Sequence, residues 1–127
     1  MKKLQHDLLT TKYTEVWHEE PEQMRFNAPH HFMVVNTGVD CNDTGLDVKP
    51  LSEVHFQEGS IKECDVNGVH NEDLIAMVIT RLEHFQKSDF SCRENALAIT
   101  KLEEALLWLR KRTMGREVRG VEGAYKV

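Results

Sequence analysis

The stretch "LIAMVI", Leu74 to Ile79, sets the tightest limit on how this chain folds. It sits inside "NEDLIAMVITRLEHF", where Leu74, Ile75, Val78, Ile79, Leu82 and Phe85 recur at helical spacing. Six apolar residues in succession cover well over the usual share of a helix circumference, so one neighbouring element cannot hide them all. Such a helix must be buried on more than one side, and a chain of 127 residues has little else to cover it. Association with a second copy is the simplest remedy; the alternative is that the amino-terminal half covers the second side.

The flanks support the helix. Asn71 is placed to cap it, with Glu72 and Asp73 in the first turn against the positive end of the dipole. After the connector "QKSDFS" a second helix is predicted from about Cys92 to Met114, with Ala96, Ile99, Leu102, Leu106 and Leu109 on one face and Gly115 as its stop or weak point. The two helices form an antiparallel hairpin. Upstream of Asn67-Gly68 the pattern differs. Residues 31–36 and 51–57 are rich in Val, Phe and His, and in "LSEVHFQ" Leu51, Glu53, His55 and Gln57 alternate with Ser52, Val54 and Phe56. Gly38, Asn42, Asp43, Gly45 and Pro50 supply a long hairpin loop between them. The expected fold class is therefore α+β: a small amino-terminal antiparallel β-sheet followed by a carboxyl-terminal two-helix antiparallel hairpin. This length suits a single domain over residues 1–127, divided into a β-rich part at 1–68 and the hairpin with its tail at 69–127.

Charge is unevenly spread. The last 18 residues, "RKRTMGREVRGVEGAYKV", hold six of the 16 Lys and Arg but two of the 21 Asp and Glu, so a body of charge −9 carries a tail of +4. An overall pI near 5.8 speaks against broad binding of a nucleic-acid polymer, which needs a basic face that neutralises many phosphates. A small phosphorylated partner fits better. No apolar run approaches bilayer length, and the first residues lack a signal-peptide core, so a cytoplasmic protein is expected. Cys41, Cys64 and Cys92 are odd in number and lack C-x-x-C spacing, which argues for reduced thiols.

On a continuing helix Arg112, Arg116 and Arg119 fall at i, i+4 and i+7, one stripe of guanidinium groups suited to phosphate oxygens. Basic residues near a helix end also complement the dipole, a blander reading of the same stripe. Gly120 and Gly123 follow, where backbone N–H groups could approach a ligand. At the hairpin tip, Phe85 and Phe90 are either core residues or a stacking platform, and Asn95 has the donor and acceptor to read a base edge or a ribose hydroxyl. Seven histidines include His30, His31 and His55 on expected strands. No H-x-x-x-H, H-E-x-x-H or C-x-x-C occurs, so no metal and no cofactor is expected. "HEEPE" and "LEEAL" are charged faces, and neither a nucleophile elbow nor a phosphate loop is present. The residues describe a binder without catalytic residues.

Residues 67 to 127 resemble a family of small phage proteins that defeat bacterial immunity by sequestering nucleotide second messengers. The family joins anti-CBASS protein 2 and Thoeris anti-defence protein 1 through a shared helical hairpin. The likeness rests on the sequence pieces "NEDLIAMVI", "CRENA" and "RGVEG", and the β-rich first half looks like the Thoeris branch. The resemblance implies a molecular sponge that binds cyclic ADP-ribose isomers and, in many members, cyclic di- or trinucleotides, without cleaving them, in the cytosol of the infected host. It implies that Phe85 and Asn95 hold base and ribose, with Arg112, Arg116 and Arg119 on the phosphate side. Arg93 matches an arginine of a separate trinucleotide pocket, near which Gly120 and Gly123 would lie; Lys62 is the nearest candidate for its second basic residue.

Asn95 and Arg112 stand 17 positions apart on one helix, roughly 25 Å at the α-helical rise. No single cyclic nucleotide bridges that. If both touch one ligand they come from different chains, so a homodimer, or a hexamer built as a trimer of dimers, is expected. The alternative is a small regulatory module whose basic tail binds nucleic acid or a protein partner; a messenger-degrading enzyme is a weaker rival.

Overall fold

The structure is a computed structural model that describes residues 1–124, 126 and 127. The chain forms two compact units, one of residues 1–59 with 66–68 and one of residues 60–65 with 69–127.

The first unit is a four-stranded antiparallel sheet in the order β1 (Lys2–Lys3), β2 (Thr14–His18), β3 (His31–Asn36) and β4 (Ser52–His55). Val, Trp and Phe on these strands suit a pleated, half-buried surface. Register sorts them. Glu15 faces Val35 and Trp17 faces Met33, while Met33 faces Glu53 and His31 faces His55, so these seven side chains share one face. Trp17 and Val35, at 6% and 1% exposure, are its buried apolar members. On the opposite face the Phe32 ring meets His18 and, edge-on at 5.5 Å, Phe56. The two expected strands and the antiparallel arrangement are present.

Two devices hold the sheet's connections. A carboxylate oxygen of Glu19 accepts the backbone N–H groups of His30, at 2.9 Å, and of His31, which fixes the entry to β3. After β4, the Asn67 amide accepts the Glu58 N–H and donates to the Glu58 carbonyl, both at 2.8 Å, closing the intervening loop at its neck. Gly68 follows because a Cβ there would fall 2.5 Å from the Phe56 carbonyl carbon.

The second unit holds α1 (Ile61–Cys64), α2 (Asn71–Gln86) and α3 (Arg93–Val118), with α2 packed on α3 as a hairpin. The fold is thus α+β as the sequence reading expects, with three local corrections. Residues 61–64, read as part of the β-rich half, form a helical turn that belongs to the helical unit. Asn71 is the first helical residue of α2, and the cap is His70, because Asp73 reaches back to accept the His70 N–H at 2.8 Å. Gly115 does not stop α3, which continues through it to Val118. Of α2's apolar run only Ile79 is buried; Met77 and Val78 are 61% and 47% exposed in the single chain. Among the described residues no helix is long and apolar enough to cross a membrane.

The Glu19 carboxyl lies below its ordinary value: burial raises it, and the His31 and His30 N–H groups with their imidazoles outweigh that. A depressed carboxylate stabilises the fold fully above its ordinary value of 4.5 and loses that contribution as pH falls through the lower folded value. Glu19→Gln should cost about 1–2 kcal/mol at neutral pH and flatten the acid limb of the stability profile. Circular dichroism of acid unfolding checks this; an unchanged acid limb in the variant contradicts it.

Candidate functional site

The basic tail and the hairpin tip occupy opposite ends of α3, which is 26 residues long. Arg112, Arg116 and Arg119 do fall in one stripe, joined by Trp108, Lys111 and Gly115, and with Val127 they line an open groove of about 540 Å³. Their forks differ in availability. The Arg116 guanidinium donates to the carbonyls of Lys126 at 2.6 Å, Ala124 at 2.8 Å and Val121 at 3.1 Å, stitching the tail back along the helix. Arg119 donates to the Val127 carbonyl. Arg112 is exposed and makes no hydrogen bond or ion pair with the described residues. The Lys111 ammonium sits 5.0 Å from the centre of the Trp108 ring, itself 61% exposed. Trp108 and Lys111 are the residues the sequence reading missed here. Their signal was the position of Trp108 one turn before Arg112 on the same helical stripe.

The helix end that carries this groove is built by Gly120. Its N–H donates to the Glu117 carbonyl and the Val121 N–H to the Arg116 carbonyl, at 3.0 Å each. Gly120 has a φ of +73°, so the arrangement is a Schellman closure, which needs a residue that tolerates the left-handed region. Gly123 does something different: its carbonyl accepts the Lys62 N–H at 2.8 Å, and a Cβ there would stand 3.3 Å from the Lys62 stem. Lys62 and Gly123 therefore come together. Arg93, at the far end of α3, does not join them within one chain: 25 positions separate it from Val118, roughly 37 Å of helix.

At the tip, the Gln86 side chain donates to the Cys92 carbonyl and accepts the Cys92 N–H, both at 2.9 Å, so it sets where α3 begins. Ser88 closes the turn by donating its hydroxyl to the Phe85 carbonyl at 2.6 Å. These bonds place half-buried Phe85 at the end of α2 and half-buried Asn95 in the first turn of α3. The Phe85 ring meets Phe90 edge-on at 6.5 Å and carries the Arg81 guanidinium 5.1 Å from its centre. Phe90 is 75% exposed. Arg81, one turn before Phe85, is a second residue the sequence reading passed over. The tip offers aromatic surface with a cation beside it, and the tail offers guanidinium forks with an aromatic beside them.

In the first unit, register gathers His31, Glu53 and His55 into one group. No short motif announces it, because the three ligand-type side chains come from two strands across a long loop.

Replacing Gly120 with alanine should weaken the tail by about 1 kcal/mol or more, since the left-handed conformation penalises a Cβ. Gly115→Ala, inside the helix with open space around it, should instead strengthen it by up to about 1 kcal/mol. Hydrogen exchange at the Val121 amide reads both effects. Equal protection in the two variants contradicts the assigned helix end.

Comparison with known proteins fits this architecture. Residues 51–114 match the family described as "Acb2/Tad1, hairpin domain". A relative called Thoeris anti-defense 1, from Bacillus phage SBSphiJ7, is 55% identical over 141 aligned positions that cover 99% of this chain and 99% of the relative. The matched segment spans β4, α1, α2 and most of α3, the elements that hold the hairpin tip and the start of the tail groove. The chain belongs to the Acb2/Tad1 hairpin family.

Proposed function

We propose that this protein is a phage anti-Thoeris factor that binds cyclic nucleotide immune signals and holds them without cleaving them. Cyclic ADP-ribose isomers are the first candidates, with cyclic di- or trinucleotides and CBASS signalling as a further range. The observation that carries the reading is the tail groove, where Arg112 and Lys111 pair with no acid among the described residues and stand beside the exposed Trp108 ring. A nucleotide needs that combination: forks for its phosphates and a flat apolar face for its base. Arg116 and Arg119 contribute charge to the groove while their donors brace the tail, so Arg112 is the principal phosphate fork. The name of the full-length relative supports the anti-Thoeris role.

The tip supplies the other half of the ligand's needs, with Phe85 for stacking and Asn95 for polar contact. Because the tip and the tail groove sit at opposite ends of a 26-residue helix, a pocket using both takes them from two chains. An antiparallel homodimer does this, or a hexamer made of three such dimers. Pairing would also cover apolar side chains that one chain leaves open, among them Met77, Val78 and Leu107. The separate trinucleotide pocket would follow the same rule, with Arg93 from one chain and Lys62, Gly120 and Gly123 from another. A pI near 5.8 keeps nucleic-acid polymers outside the partner list, and the protein would act in the host cytosol.

The test is capture and release. The protein is incubated with enzymatically made cyclic ADP-ribose isomers, freed of unbound ligand and denatured, and the released compound is identified. An intact messenger supports the reading; a cleaved one, or none, contradicts it. In calorimetry Arg112→Ala and Phe85→Ala should each lose about 2 kcal/mol or more, as a fork or a stacking anchor leaves its partner groups stranded. Wild-type affinity in both variants removes these residues from the pocket.

A further inference from the structure

The group formed by His31, Glu53 and His55 lies on the sheet and shares no residue with the hairpin tip or the tail groove. Register puts His31 directly opposite His55, and Glu53 two residues before His55 on the same strand, so all three side chains project from one face. A Glu53 carboxylate oxygen stands 2.7 Å from His31 Nε2 and 3.5 Å from His55 Nε2. The imidazoles stack with centres 4.2 Å apart and planes 10° apart. One potential ligand atom from each residue lies within 4.8 Å of the other two. Two imidazoles and a carboxylate thus share one spot on the face, and because the ring planes are parallel the 60% exposed His55 ring turns out of the stack for both nitrogen lone pairs to reach one ion.

A hydrogen bond of 2.7 Å joins His31 to Glu53, and His55 is stacked beside them, 3.5 Å from the same oxygen. A dication serves all three groups at once. It takes one lone pair from each neutral imidazole and one from the carboxylate oxygen, and it replaces the protons that otherwise sit between them. Zinc ligands at about 2.0–2.2 Å in a tetrahedron stand about 3.3–3.5 Å from one another. The His55 to Glu53 separation already has that value. The His31 to Glu53 contact opens by a fraction of an ångström through rotation of the 45% exposed Glu53 side chain. His55 is 60% exposed and His31 28%, so an ion reaches the group from solvent.

We propose that His31, Glu53 and His55 form a binding site for a divalent transition-metal ion of the zinc class, and that the bound ion clips the edge strand β4 to β3. Imidazole and carboxylate donors select zinc, copper or nickel over magnesium or calcium, which prefer all-oxygen shells. Three ligands from one chain leave the fourth position to water. The site shares no residue with the proposed messenger pocket, and its fate does not depend on that reading. β4 is one edge of the sheet, held by pairing on one side, so a cross-strand clip reinforces a strand with only one neighbour.

The test uses the full chain without an affinity tag, stripped with a chelator and dialysed, and titrated with zinc by calorimetry. About one zinc per chain should bind saturably, and the melting temperature should rise with zinc as the ion favours the folded state. His55→Ala and Glu53→Gln, both at exposed positions, should weaken zinc binding by about tenfold or more and abolish the melting shift, since each removes one of three ligands. Cobalt(II) in place of zinc separates this site from the free cysteines: nitrogen and oxygen ligation gives no thiolate charge-transfer band. The proposal is overturned by any of three results: no saturable uptake, unaltered zinc affinity in His55→Ala, or a cobalt spectrum dominated by thiolate.

Discussion

The length and continuity of α3 govern most of what the helical unit can do. Over 26 residues its regular rise fixes the tip and the tail groove at a distance no small ligand spans. Gly115 could have relieved this by breaking the helix. It does not: α3 runs through it to Val118, since one glycine costs only about 1 kcal/mol in a helix interior. The two ends are therefore held apart by a rigid element, and each is prepared locally.

Each end has its own clamp. Gln86 grips both backbone groups of Cys92, so the chain reverses with α2 and α3 in fixed phase and Phe85 and Asn95 keep their places. At the other end Gly120 closes the helix and Arg116 gathers three tail carbonyls. The arginine stripe is thus not uniform. Arg116 organises the groove that Arg112 faces, and removing either would change the site for different physical reasons. The Lys62 to Gly123 contact ties α1 to the same tail.

The hairpin was legible because the helical period persists over long segments, and β3 and β4 because β-branched and aromatic residues cluster between clear turn signals. Short elements escaped. α1 has four residues and β1 two, too few for any period to register. Gly115 misled because a glycine signals a stop only when the residues beyond it close the helix, and those partners belong to Gly120. Trp108 was passed over because the stripe was read for charge alone, and Arg81 because the tip was read for its aromatic and amide groups. The His31, Glu53 and His55 group could not be found by spacing: positions 31 and 55 meet through strand register, which no local motif encodes.

Sharing of one pocket by the tip of one chain and the tail of another is tested most directly by mixing damaged chains. Asn95→Ala and Arg112→Ala proteins are partly unfolded together and reassembled. Each parent has every pocket damaged once, but a mixed dimer has one pocket with both defects and one with neither. Random pairing makes about half the dimers mixed, so about a quarter of the wild-type capacity should return at high affinity by two-fold symmetry. If sedimentation shows that the chains have exchanged and no high-affinity fraction appears, the tip and the tail do not meet across an interface.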